Sequence, residues 1–326
     1  MKRIGKILNL FGPFLGLIFV YLFFFFYAPA NFHTLYNTKT ILTQAVIVGI
    51  AALGMTVIII SGGIDLSAGS LIALGTVVTA IVLKNWGNPL GAGFGVALAA
   101  ALTGVLACTL CGFLNGLIIS LCRIVPFIVT LGMMQIARGM AKGLAQQTTV
   151  NTPSNWLNDL MVVEPKMDVW YSVAPGVWLL AALAVAMFVV LRYTLFGRYV
   201  FAIGSNEATA RLCGIPVALH RVWIYTVGGL FSGVAAVMQF SNLTLGDPTA
   251  AIGMELDIIA AVVIGGGSFS GGEGSILGTI VGAVIMAILR NGCNMAGVPN
   301  WVQNILIGSI IIVAVGLDRL KHARQA

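Results

Sequence analysis

Ten apolar stretches divide this chain, near residues 10 to 28, 41 to 61, 68 to 83, 93 to 121, 125 to 145, 174 to 191, 222 to 240, 255 to 267, 273 to 290 and 301 to 317. A helix needs about 20 apolar residues to cross a hydrocarbon layer of about 30 Å, and most of these runs approach that length. Charge is correspondingly scarce: 8% of residues are charged and 59% hydrophobic, with a mean hydropathy of +1.01. Soluble domains carry about 25% charged residues. The expectation is an all-α, polytopic transmembrane helical bundle of about ten spans, forming one domain over residues 1–326. A soluble enzyme is excluded.

The net charge of +7 forms no patch of the kind that grips nucleic acid. Starting the N-terminus inside puts Lys2, Arg3, Lys6, Arg123, Arg192, Arg198, Arg211, Arg221, Arg319, Lys321 and Arg324 on the cytoplasmic side. Lys39, Lys84, Arg138, Lys142, Lys166 and Arg290 then lie towards the outside. Eleven against six satisfies the positive-inside rule with both termini cytoplasmic. The first span follows three cations and ends near Ala28-Pro29-Ala30. Its apolar run of about 18 residues exceeds a signal peptide's 7 to 15, so it reads as an uncleaved anchor. Cys108 and Cys111 lie inside an apolar span and read as small buried side chains rather than as a redox or metal pair.

The 40 glycines include three small-xxx-small spacings, Gly112/Gly116, Gly229/Gly233 and Gly278/Gly282. Such spacings let membrane helices approach closely, and glycine this frequent also produces them by chance. Two breaks echo each other. Val57 to Ser70 runs through Gly62-Gly63-Ile64-Asp65-Leu66-Ser67 into an apolar helix, and Val262 to Ser275 does likewise through Gly265-Gly266-Gly267 and Gly271-Gly272-Glu273-Gly274. Each falls between an inward and an outward span, which suggests halves duplicated in the same orientation. Paired glycine-interrupted segments point to a transporter's pathway; the same residues also suit cytoplasmic turns, with Asp65 capping the next helix.

A charge at the bilayer centre costs at least about 2.5 kcal/mol, so intramembrane polar residues are candidates for function. Gln135, Arg138, Lys142 and Gln146 share one face of the fifth span. Asn115 in the fourth span and Asp257 at the start of the eighth join Asp65, Ser67, Gln135 and Arg138 as candidate pathway residues.

Residues 192–221 form a cytoplasmic loop carrying four arginines. Asn206 can cap a helix, Glu207 sits at its N-terminal dipole, Arg211 lies four residues on, and Gly214 then Pro216 end it. About two turns of helix are marginal alone and need a partner surface. A docking element is one reading, an ordinary capped turn the other. Residues 146–173 form an outer loop whose Trp156, Trp170 and Tyr171 suit either a protein contact or interfacial anchoring. The glycine cluster at 265 to 274 lacks a phosphate-loop lysine, and His-Glu-Xaa2-His and Gly-Xaa-Ser-Xaa-Gly are absent from the sequence. His33, His220 and His322 are scattered. No cofactor, metal or catalytic residue is expected.

Several stretches, in order along the chain, carry a resemblance. They are Gly63-Ile64-Asp65-Leu66-Ser67-Ala68-Gly69-Ser70; Val125-Pro126-Phe127-Ile128-Val129-Thr130-Leu131-Gly132 with Ile136-Ala137-Arg138-Gly139; and Gly197-Arg198 through Ala202-Ile203-Gly204-Ser205-Asn206-Glu207-Ala208 to Gly214-Ile215. Gly253-Met254-Glu255-Leu256-Asp257, Ala261-Val262-Val263-Ile264-Gly265-Gly266 and Gly271-Gly272-Glu273-Gly274-Ser275-Ile276-Leu277-Gly278-Thr279 complete them. The chain resembles the permease subunits of bacterial ribose-type monosaccharide ABC importers in the inner membrane. The resemblance implies a permease dimer, cytoplasmic ABC ATPase subunits, a periplasmic sugar-binding protein, and a coupling helix at 203–216. Ser205, Asn206, Glu207, Ala208, Arg211 and Gly214 are then the expected ATPase contacts. The spacing from Glu207 to Gly214 is seven residues, where the wider class of ABC importers has six between its glutamate and glycine. An ion-coupled secondary transporter of a small polar solute would instead use deep carboxylates, and Asp65, Asp257 and Glu273 are expected near span ends. A membrane scaffold for a sensor is a third class, separated by showing no substrate flux.

Overall fold

The computed structural model describes residues 2–88, 91–163 and 171–323, so Lys166, Trp170 and Arg324 lie outside the described residues. The helices are α1 (Lys2–Tyr27), α2 (Leu35–Ile60), α3 (Ala68–Trp86), α4 (Phe94–Cys122), α5 (Pro126–Leu144), α6 (Pro175–Tyr193), α7 (Leu195–Ser205), α8 (Glu207–Leu212), α9 (Val217–Leu243), α10 (Met254–Ile264), α11 (Ile276–Met295) and α12 (Asn300–Ala323). A two-stranded antiparallel sheet joins β1 (Val150–Asn151) to β2 (Leu245–Gly246).

Each of the ten apolar stretches overlaps a helix, and α2, α3, α4, α6, α9 and α11 are long and apolar enough to cross a membrane. In α2, 94% of the most apolar window is buried inside the protein, against 22% in α6. The first is therefore the core of the bundle, and the second faces its surroundings. The eighth stretch departs from expectation. α10 has 11 residues, about 16 Å of helix: it begins directly after Gly253 at φ +81°, where the apolar stretch begins, and the turn at Gly265–Gly267 ends it before that stretch does. Turns over 248–253 connect β2 to α10.

All three small-residue spacings are close helix contacts. A methyl on Gly112 would come within 2.8 Å of the Gly229 Cα, and one on Gly233 within 2.7 Å of the Val105 Cα. Gly116 faces the Val222 backbone at 2.6 Å, while Gly278 and Gly282 abut the carbonyls of Gly265 and Ala261. Only hydrogen fits between these backbones, so α4 closes on α9, and α11 on α10.

The same contacts fix direction. Gly54 meets Phe231 and Gly63 meets Tyr225, so α2 and α9 are antiparallel. Gly49 meets Ala283 while Gly274 meets Ile60, so α2 and α11 are antiparallel too. The run α2 to α5 is thus matched by α9 to α12 running the opposite way: α3 packs on α4, α5 and α9 as α10 packs on α11, α12 and α2. The duplication expected in one orientation is inverted. The true echo is Gly63-Ile64-Asp65-Leu66-Ser67 against Gly253-Met254-Glu255-Leu256-Asp257, each opening the shorter helix that follows a long one.

Those two openings meet. A methyl on Gly69 of α3 would touch the Ala251 carbonyl at 2.6 Å and the Glu255 carboxylate at the start of α10. The two helices begin side by side and run to opposite ends. Irregular backbone at such depth is tolerated only where protein satisfies it. In the first opening, Ser67 N–H donates to Asp65 Oδ1 at 2.8 Å. In the second, Arg138 donates to the carbonyls of Pro248 at 3.0 Å and Ala250 at 2.7 Å, and Thr249 N–H to Asp247 Oδ1 at 2.7 Å.

Candidate functional site

At the end of the bundle where α2 finishes and α9 begins, the segment 192–221 is helical almost throughout rather than a loop with one short helix. Thr194 ends α6 and caps α7 by accepting from Gly197 N–H, and Gly197, Val200 and Ile203 turn inward. Asn206, extended at φ −162°, breaks the chain and caps α8 by accepting from Thr209 N–H at 2.9 Å. The expected two-turn helix forms with the expected cap. Gly214 at φ +80° closes it, letting Ile215 N–H reach the Ala210 carbonyl at 3.1 Å.

Glu207 holds two guanidiniums, Arg211 at 2.7 Å on Oε1 and Arg221 at 2.6 Å on Oε2. The first was legible as an i, i+4 pair; the second joins residues 14 apart across two helices, and no local period announces it. Partial burial alone would raise the Glu207 carboxyl, but the hydrogen bonds and charges of both arginines outweigh it and hold it below the usual carboxylate range. Ala210 packs on Ile203 and Val217, which anchors α8 to α7 and α9. Ser205 ends α7, Ala208 lies on the exposed side of α8, and Leu212 is 89% exposed. Leu212 is an anchor-type side chain that no pattern in the sequence singled out.

Beneath α8 lies an open cleft of about 550 Å³, walled by Ser61 and Gly62 after α2, Arg123 before α5 and Pro126 at its start, and Ser205 to Glu207. The α7 end is wedged against the core. Gly204 sits on the Ile60 carbonyl with no room for a Cβ, and Gly272 N–H donates to that same carbonyl at 2.8 Å. The α7 end, the end of α2 and the loop that precedes α11 are thus in direct contact.

The pathway candidates separate into groups. Ser67 Oγ donates to Asp65 Oδ1 at 2.5 Å and accepts from Asn115 Nδ2 at 3.2 Å, so Asp65, Ser67 and Asn115 form one buried chain. Asp257 is buried against Arg290 of α11. Asp65 lies between α2 and α3 and Asp257 in the first turn of α10, at helix ends as expected, yet they are only 1% and 3% exposed. Gln135 stands exposed on α5, while Arg138 turns to the carbonyls of Pro248 and Ala250. Gln146 does not share that helix face, since α5 ends at Leu144 and Gln146 is left-handed at φ +51°. In the outer loop, Trp156 stacks on Phe94 at 5.3 Å and the buried Met161 donates its N–H to Ser241, so this part of the loop packs on α4 and α9.

Inverted helical halves meeting at broken helices, with a capped, guanidinium-tied helix docked at one end, define a multi-pass membrane permease. The chain belongs to the family described as branched-chain amino acid transport system / permease component, which matches residues 37–315. It is 38% identical over 298 residues to the ribose import permease protein of Escherichia coli strain K12, covering 90% of this chain and 88% of the relative. Identity to the Bacillus subtilis strain 168 ribose import permease protein is 36% over 316 residues, 96% of this chain and 93% of the relative. The galactose/methyl galactoside import permease protein of Escherichia coli strain K12 is 34% identical over 309 residues, with 90% of each chain covered. No solved structure matches.

Proposed function

We propose that this chain is the transmembrane subunit of an ATP-driven importer, providing the path for a monosaccharide delivered by a periplasmic binding protein. The segment 192–221 is its cytoplasmic coupling element, residues 146–173 its periplasmic loop, and the ten helical stretches its spans, with both termini cytoplasmic in the bacterial inner membrane. ATP is hydrolysed in separate ATPase subunits docked at α8, and a second copy of the permease completes the path. Sugar import is what the names of its relatives describe.

The observation that carries the coupling role is α8: a short helix presenting an almost fully exposed leucine while its base is tied to the core through Glu207–Arg221, Ala210 and Gly204. A rigid, exposed, apolar-tipped element on a polar face suits a protein partner. Leu212→Ser, combined with Ala208→Arg, should leave folding intact and abolish sugar-stimulated ATPase activity of the assembled complex. Normal stimulation by that variant would refute the docking role.

Buried Asp65, with no ion-pair partner among the described residues, is the one feature favouring an ion-coupled transporter. Family membership weighs against it. Uptake that survives an uncoupler while ATP is maintained separates the two readings.

A further inference from the structure

Asp257 and Arg290 face each other across α10 and α11, and two nitrogens of Arg290, Nε at 2.7 Å and Nη2 at 2.6 Å, converge on the same carboxylate oxygen, Oδ2. The other oxygen, Oδ1, is buried with no donor among the described residues. Buried acceptors are satisfied by protein, water or ligand, so this one calls for an external O–H or N–H. The pair borders a cavity of about 150 Å³, whose wall also includes the amides of Gln44 on α2 and Asn294 on α11, over an apolar floor of Val48 and Met286. Gln303 Nε2 donates to Asn294 Oδ1 at 2.7 Å, which leaves the Asn294 amide nitrogen for a different acceptor.

The chemistry narrows the occupant. One carboxylate and one guanidinium sum to zero, so a free cation or anion would have to compete with an existing partner, while a neutral solute would not. Asp257 Oδ1 asks for hydroxyl donors; Arg290, Gln44 and Asn294 offer donors to hydroxyl oxygens, and the floor suits a C–H face. A cavity of about 150 Å³ holds the six-membered ring of benzene, so the ring of a sugar seats here while its outer hydroxyls extend past Gln44 and Asn294, which are exposed at the rim. The cavity also flanks the first turns of the broken helix α10, where transporters place their solutes.

We propose that this cavity is a binding subsite for a neutral polyhydroxylated ring, a monosaccharide, built by Asp257, Arg290, Gln44 and Asn294. It rests on the transport reading above and assigns a place within it. The test uses the full-length chain in nanodiscs, with melting temperature read against D-ribose, D-galactose and L-arabinose, and against glycerol and sodium chloride as controls. One sugar should raise the melting temperature saturably in roughly the millimolar range, and the controls should not. Gln44→Leu, which keeps side-chain volume and touches no ion pair, should weaken that sugar by roughly tenfold without lowering the unliganded melting temperature. Asp257→Asn should abolish the response; if that variant does not fold, Gln44→Leu decides. No saturable response to any of the three sugars, or a response that Gln44→Leu leaves unchanged, overturns the proposal in favour of a cavity holding only water. Uptake by the complete importer distinguishes the two readings: transport without a response at this cavity removes the subsite alone, whereas an importer that moves no sugar removes the transport reading itself.

Discussion

Arg138→Leu should loosen one defined segment. Its guanidinium makes two bonds, at 3.0 and 2.7 Å, to the carbonyls of Pro248 and Ala250, which have left helical geometry at depth. Hydrogen bonds to charged groups contribute about 1.5–3 kcal/mol each, while bonds between membrane helices average about 0.6 and reach about 1.7. Because Arg138 is only half-buried, the pair is worth about 2–4 kcal/mol, within the lower part of the local opening energies that core elements show. Leucine fills similar space but leaves both carbonyls bare. Hydrogen exchange by mass spectrometry should show faster exchange over 245–264, with helices α6 and α4 unchanged. Arg138→Lys, which keeps the charge without the fork, should recover about half of the protection. Equal protection in wild type and Arg138→Leu would refute the claim that this side chain holds the turns before α10.

Other tests address separate links. Because the Glu207 carboxyl is depressed, its contribution is complete above the ordinary value of 4.5 and is lost as pH falls through its lower folded value. A fluorine probe on the exposed Cys213, in a Cys122→Ser background, should therefore be constant from pH 8 to about 5 and shift only below 4.5; a transition centred above pH 5 contradicts the pairing. Glu207→Gln should change the melting temperature little, since ion pairs this exposed are worth about 0.2–1 kcal/mol, yet reduce stimulated ATPase activity. Gly112→Leu should prevent folding by forcing α4 off α9, whereas Gly132→Ala, whose methyl meets nothing within 4 Å, should be neutral or stabilising by about 0.5–1 kcal/mol. Equal yields of the two variants would count against backbone contact as the basis of the α4–α9 packing.

Much of the architecture was readable because hydropathy dictates it. Apolar runs must become helices where no water can satisfy the backbone, and Asn206, Glu207, Arg211 and Gly214 specify their short helix by capping rules that act within one turn. What escaped depends on distance or direction. The Glu207–Arg221 pair spans two helices, and the exposure of Leu212 is set by how α8 leans on Ile203 and Val217. The inverted repeat was missed because glycine abundance drew attention to 265–275, while the quieter match of Gly63 to Ser67 with Gly253 to Asp257 carried the relation. Composition cannot tell parallel from antiparallel; contacts such as Gly54 on Phe231 can. The C-terminal end of α10 was overestimated for a related reason, since an apolar count does not register the turn that Gly265–Gly267 imposes.

Two copies of one packing unit, set head to tail, carry an energetic corollary. Any tilt that parts the helices at one end has a mirror tilt that parts them at the other, at nearly the same internal cost. The two arrangements are close to degenerate, and the balance between them falls to ornaments found at one pole only: the β1–β2 clasp at one, the α7–α8 lever at the other. With the coupling role proposed above, a modest push at α7–α8 would suffice to shift that balance.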